Sequence, residues 1–82
     1  MKIIDVDTVG AYVIFCYDFD EYGDLVIVDE IWRSSFDECF DEVARLNLWG
    51  CPIEICQCLK PLTGLLGYKT VARSARYAEI SE

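Results

Sequence analysis

Two runs of apolar residues separated by a short acidic segment constrain the fold most strongly. The first run, residues 11–17, reads AYVIFCY, and the second, residues 25–32, begins LVIV and becomes more polar toward its end. Gly23 lies between them and can adopt the positive φ that a hairpin loop needs. The pattern predicts two antiparallel strands joined as a β-hairpin. Residues 2–9 are expected either to extend this hairpin or to form a short edge strand.

An amphipathic helix is predicted after the hairpin, over residues 35–48. Ser34 or Ser35 is the candidate N-cap, and Glu38 stands three residues after Ser35, which is the spacing of a capping box. Apolar residues then recur at steps of three and four, as on the buried side of a helix. These residues are Phe36, Cys39, Phe40, Val43 and Leu46. Gly50 is predicted to stop the helix.

The remaining chain predicts a third strand and one ambiguous segment. Residues 53–59 alternate between apolar and polar types, and residues 61–64 form a turn pattern. Residues 65–80 fit both helical and strand spacing, and a fourth strand is preferred because fewer strands on one helix leave a thin core. The order β-β-α-β-(β) predicts an α+β fold, with a small antiparallel sheet of three or four strands and one amphipathic helix on one face. Residues 1–82 are expected to form a single domain.

Composition disfavours several classes of function. The net charge of −8 opposes binding to nucleic acid or to an anionic membrane, because both depend on basic side chains. No histidine is present, so the commonest general base and metal ligand is missing. No secretory signal and no apolar run of about 18 residues is found, so we expect a cytoplasmic protein whose five cysteines are free thiols.

The negative charge is concentrated in residues 1–50, which carry twelve acidic and three basic residues. One acidic cluster belongs to the hairpin loop and the other to the predicted helix. They are either solvated side chains without a role, or one negative surface complementary to a basic groove. Tyr22 is the candidate exposed aromatic anchor within that surface. The candidate partner-binding residues are Asp18, Asp20, Glu21, Tyr22, Asp24, Asp37, Glu38, Asp41 and Glu42.

In length, charge and these two acidic clusters, the chain resembles small acidic proteins of phages and other mobile elements, among them anti-CRISPR and anti-restriction proteins. The resemblance covers the general character of the whole chain and does not rest on a motif. It implies a non-enzymatic inhibitor that mimics nucleic acid with surface carboxylates and blocks a nucleic-acid-binding defence complex in the host cytoplasm. The implied partner is a basic protein or complex, with neither nucleic acid nor membrane bound directly.

The alternative function is that of a small protein–protein adaptor or a homo-oligomer, joined through a sheet edge or an apolar patch. Sheet edges carry backbone groups that can pair with another chain. The sequence leaves both a monomer and a homodimer open. Salt-insensitive binding or self-association would distinguish this alternative from an acidic surface that binds cations.

Catalytic and metal-binding functions are less favoured. Asp18, Asp20 and Asp24 occupy spacings of a calcium loop, but Tyr22 replaces a usual ligand, Asp29 replaces the final Glu, and strands are predicted on both sides. Four cysteines could supply thiolates to zinc, but their spacing is not that of two close pairs. These are Cys39, Cys51, Cys56 and Cys58. No spacing joins a nucleophile to a base, so we predict no enzyme, no cofactor and no metal site.

Overall fold

The structure is a computed structural model that describes residues 10–59 and 67–81. The four strands form one antiparallel sheet in the order β2-β1-β3-β4. The elements in chain order are β1 (Tyr12–Phe19), β2 (Leu25–Arg33), α1 (Phe36–Arg45), a 3₁₀ turn (Leu48–Gly50), β3 (Ile53–Leu59), β4 (Gly67–Arg73) and α2 (Ala75–Ile80). The α+β fold is confirmed. The extension predicted at residues 2–9 lies outside the described residues.

The β-hairpin of β1 and β2 is closed by residues 20–24. Gly23 has a φ of 82°, in the region that glycine adopts without steric cost. The Asp20 carboxylate accepts hydrogen bonds from the backbone N–H groups of Tyr22 and Asp24, both at 2.9 Å, and so holds the turn closed. Asp18, predicted to lie in the loop, belongs instead to β1.

Helix α1 begins where the capping box predicts and ends earlier than expected. The Ser35 hydroxyl accepts a hydrogen bond from the Glu38 N–H at 3.2 Å. The predicted end at residue 48 is wrong, because Asn47 has a φ of 57° and its N–H donates to the Ala44 carbonyl at 3.2 Å. Asparagine tolerates this left-handed conformation better than most residues, so the helix ends at Arg45 without using Gly50.

The main core lies between α1 and one face of the sheet. Ile14, Ile53 and Ile55 from the sheet pack with Cys39 and Val43 of α1, and all five side chains are fully buried. Burying a side chain of this size contributes roughly 1.5–3 kcal/mol, so this cluster supplies much of the stability of the fold. The predicted packing of one amphipathic helix on one face is confirmed. Two residues of the predicted buried stripe, Phe40 and Leu46, are instead exposed.

The second face of the sheet carries a smaller apolar cluster. Val13, Phe15 and Cys56 are buried there, and Trp32 packs against them. The Tyr68 ring from β4 meets the Phe15 ring edge-on, with centroids 5.3 Å apart. Aromatic residues therefore stabilise this face, in the edge-to-face geometry that their quadrupoles favour.

The last segment is only partly the predicted fourth strand. β4 ends at Arg73, and the short helix α2 follows it. Ser74 causes the change, because its hydroxyl accepts a hydrogen bond from the Tyr77 N–H at 3.1 Å and caps α2. The same hydroxyl donates to the Cys51 carbonyl at 2.6 Å, which ties the helix start to the 3₁₀ turn region. Both described helices are too short and too polar to cross a membrane.

Candidate binding surface

The β-hairpin extends beyond the rest of the sheet. β3 begins at Ile53, which pairs with Cys16, and the Tyr17 N–H donates to the Pro52 carbonyl at 2.9 Å. Beyond Tyr17, β1 and β2 pair only with each other among the described strands. A register shift opposite Cys16 and Tyr17 leaves Val28 as an extra residue on β2, which is the geometry of a β-bulge. We call residues 17–29 the hairpin arm; they comprise this two-stranded projection, its loop, and Tyr17 and Asp29 at its base.

The hairpin arm carries carboxylates that nothing in the described fold neutralises. The chain has no Lys or Arg between Lys2 and Arg33. No arm carboxylate forms an ion pair within the described ranges, where the ion pairs involve Glu42 and Glu79. The arm carboxylates are Asp18, Asp20, Glu21, Asp24 and Asp29. Their negative potential is therefore directed at solvent or at a partner.

The hairpin arm also exposes apolar side chains at the edge of the sheet. Val26, Ile27 and Val28 follow one another on β2 and are all exposed, with 45% of Ile27 and 60% of Val28 accessible. Successive strand residues alternate between faces, so this run leaves both faces of β2 open. Tyr22, at the tip of the loop, is 81% exposed. Tyr22 was predicted from the sequence, whereas the three β2 residues were not, because their exposure depends on where β3 begins.

Two of the four helix carboxylates are engaged within the fold. Glu38 accepts hydrogen bonds from Ser34 and Ser35 at the start of α1, which lowers the pKa of its carboxyl group. Glu42 pairs with Arg45 and, at 3.1 Å, with Arg33. Hydrogen bonds from Arg45 and then Arg33 lower the pKa of Glu42. Both oxygens of Glu42 are engaged in this way, whereas Glu38 accepts its hydrogen bonds through Oε2.

The other two helix carboxylates, Asp37 and Asp41, are exposed and belong to the first two turns of α1. The Phe36 ring at the start of α1 contacts the Tyr12 ring, with centroids 6.3 Å apart, so α1 begins beside the first residue of β1. Asp18 lies six residues further along β1, a distance of about 20 Å at the rise of a strand. The nine predicted residues therefore divide into the arm cluster, an exposed helix pair, and two carboxylates held by internal contacts.

A buried polar network lies on the second face of the sheet and was missed from the sequence. Glu54 is only 7% exposed, and its carboxylate accepts hydrogen bonds from Tyr17 at 2.5 Å and Thr70 at 2.9 Å. The Tyr17 ring lies 4.7 Å from the Tyr77 ring of α2. The network therefore joins β1, β3, β4 and α2. In the sequence, the sign of this network is Glu54, a charged residue that stands between Ile53 and Ile55 in a predicted strand.

Because of this network, we expect the free energy of unfolding to fall at alkaline pH. Burial and the hydrogen bond to Glu54 raise the pKa of Tyr17 above the value of about 10 that it has in an unfolded chain. Above that pH the unfolded state releases the phenol proton and the folded state keeps it, so the free energy of unfolding falls as pH rises. Each such group contributes a slope of at most about 1.4 kcal/mol per pH unit.

Urea unfolding at pH 8 to 11 measures this effect. Buried thiols contribute to the same decline from a lower pH, because burial raises the pKa of Cys39 to about 11. Tyr17→Phe should therefore flatten the decline above pH 10, and Tyr22→Phe, which removes an exposed hydroxyl, is the matched control. Identical pH profiles for the two variants would show that Tyr17 is not the group responsible.

The cysteines do not form the tetrad considered for zinc. Cys39 packs with Ile14 on the face that α1 covers, whereas Cys56 packs with Val13 on the opposite face. The sheet separates their sulfur atoms, so they cannot ligate one ion. Among the described residues, no group of three or more metal-ligating side chains converges.

The cysteines are expected to react with thiol reagents at very different rates. Cys51 is exposed, whereas Cys39, Cys56 and Cys58 are buried and burial raises their pKa values. Because the thiolate is the reactive form, Cys51 is expected to be labelled rapidly in the native protein and the three buried thiols only on unfolding. Cys16 is half-buried and burial raises its pKa, so it should be labelled more slowly than Cys51. Labelling with a chromogenic disulfide checks this, and Cys51→Ser should remove the fast phase. A fast phase that survives this substitution would contradict the assignment.

Together these features define a small α+β protein with a projecting, acidic and partly apolar β-hairpin. Comparison of the chain with protein-family models, curated proteins and solved structures finds no match. The function must therefore be inferred from the chemistry of the surface itself.

Proposed function

We propose that this chain is a non-enzymatic binding protein that places its hairpin arm in the cationic groove with which a partner protein holds nucleic acid. The unpaired arm carboxylates are the observation that supports this proposal. A groove lined by Lys and Arg attracts such a cluster strongly and excludes the nucleic acid that it normally holds. The resemblance to anti-defence proteins suggests that the partner is a defence complex, which makes the protein its inhibitor.

The carboxylates of the arm serve the proposed function better than those of α1. Carboxylates that already hold a helix cap or an ion pair must lose those contacts before they bind a partner. In the arm, Glu21 and Asp24 are exposed, and their carboxylates accept no hydrogen bond from the described residues. Their substitution should therefore change binding without changing the fold.

Competitive release from DNA tests the proposal. Proteins of a host-cell lysate are bound to DNA–cellulose, and the purified chain is then applied at low salt. We expect it to release a basic protein that subsequently binds the chain directly and loses DNA in its presence. Glu21→Gln with Asp24→Asn should strongly reduce release, whereas Asp37→Asn with Asp41→Asn, which removes the same charge from α1, should have a much smaller effect. No release, or equal release by the two double variants, would contradict the proposal.

A second candidate function is an adaptor or homo-oligomer joined through the edge of β2. The exposure of Val26, Ile27 and Val28 favours it, because an uncovered apolar edge strand is a common pairing site. Sedimentation of the purified chain at several salt concentrations distinguishes the two. Self-association that persists at high salt supports the second candidate, and a monomer at all concentrations excludes a homo-oligomer.

A further inference from the structure

We infer that the outer edge of β2 in the hairpin arm binds an extended, cationic segment of the partner as an additional β-strand. This inference rests on the proposed function and specifies how the arm binds. It concerns the backbone of residues 25–28 and the side chains that flank it. Recognition by strand addition combines main-chain hydrogen bonds with contacts to alternate side chains.

The position of β2 leaves one side of its backbone without a described strand. β2 is the first strand in the sheet order and pairs with β1 alone among the described elements. An edge strand presents a row of N–H and C=O groups to any chain that lies alongside it. The side chains of Val26, Ile27 and Val28, which flank this part of the edge, are exposed.

The local sequence lacks the usual protection of an edge strand. Native edges commonly carry Lys, Pro or an inward-facing charge that prevents pairing. Residues 25–28 read LVIV and contain none of these. The bulge at Val28 is the one such device in this segment, and the twist that it introduces restricts pairing to a short strand. The edge is therefore suited to one short segment rather than to an extended sheet.

Charge determines which segment fits this edge. Asp24 and Asp29 bracket the apolar run, and three further carboxylates lie on the remaining part of the arm. A second copy of the chain would bring a second set of unpaired carboxylates against the first, and like charges on paired strands are destabilising. An extended segment with Lys or Arg beside apolar residues supplies opposite charge and apolar contacts together. The occupant is therefore a cationic strand of the partner.

A synthetic probe separates strand addition from simple attraction between charges. The probe is a nine-residue peptide of alternating lysine and valine, blocked at both ends. The control is the same peptide with every backbone nitrogen methylated, which keeps the charge and removes the N–H donors. We expect the control to bind at least tenfold more weakly. We also expect the unmethylated peptide alone to slow hydrogen exchange at β2 amides in residues 25–28 by tenfold or more.

The outcomes distinguish this inference from the proposed function. Equal affinity of the two peptides, or slowed exchange on α1 instead of β2, would overturn strand addition while leaving an acidic binding surface in place. If neither peptide binds at low salt, both proposals fail. If the free chain dimerises and Ile27→Lys abolishes the dimer, the edge binds a second copy and the inference is wrong. Ile27→Lys adds a positive charge and should otherwise weaken both peptides, with the larger loss for the unmethylated one.

Discussion

Replacing Ile55 with alanine is expected to lower the free energy of unfolding by about 2–5 kcal/mol. The side chain is fully buried between the sheet and α1, so truncation removes apolar contacts and leaves a cavity. The same substitution at Ile27, on β2 of the same sheet, is expected to change it by less than about 1 kcal/mol. Urea-induced unfolding followed by tryptophan fluorescence measures both values.

This pair of variants tests whether the apolar residues of the arm contribute to folding. Ile27 is 45% exposed and lies beyond the region that α1 and β3 cover. If Ile27→Ala were as destabilising as Ile55→Ala, the arm would be part of the core and its apolar side chains would need no partner. A small effect of Ile27→Ala on the free energy of unfolding would show that this apolar side chain is not needed for folding and is available for binding.

Removing two arm carboxylates is expected to slow association with a basic partner about tenfold at low ionic strength. The variant combines Glu21→Gln with Asp24→Asn, and the partner is the protein released from DNA. The reason is electrostatic steering, because the charge removed belongs to the projecting part of the molecule and is not paired within it. Stopped-flow or surface-binding kinetics at several salt concentrations measure the association rate.

The helix pair provides the matched control for this prediction. Asp37→Asn with Asp41→Asn removes the same charge from the exposed side of α1, a helix that begins beside Tyr12, about 20 Å along β1 from Asp18. We expect less than a threefold change in the association rate for this control, and both double variants should unfold at the wild-type urea concentration. Equal slowing by the two variants would indicate that net charge, and not the arm, controls binding.

Local signals in the sequence predict the elements of this fold well. The hairpin follows from two apolar runs around Gly23, and the start of α1 follows from Ser35 and Glu38. The predicted end of α1 was wrong because Asn47 adopts the left-handed conformation, which glycine adopts more often. Residues 65–80 fitted both a strand and a helix, and the structure contains both, because Ser74 caps a helix that begins directly after β4.

The candidate surface was less predictable, because it depends on contacts between distant residues. The sequence does not show that Arg33 reaches Glu42, nine positions away, and thereby removes a carboxylate from the surface. Nor does it show that β3 begins opposite Cys16, which leaves Val26, Ile27 and Val28 uncovered. The registers of β1 with β2 and β3 determine both the projection of the arm and the bulge within it.

Hydrogen exchange of the complex tests the central claim most directly. The chain is incubated in deuterated buffer with and without the released partner, and protection is measured by mass spectrometry across residues 10–81. We predict that protection on binding is concentrated in residues 18–29 and that the segment carrying Asp37 and Asp41 is little affected. Protection concentrated on α1 or β4, with the hairpin arm unchanged, would contradict the account.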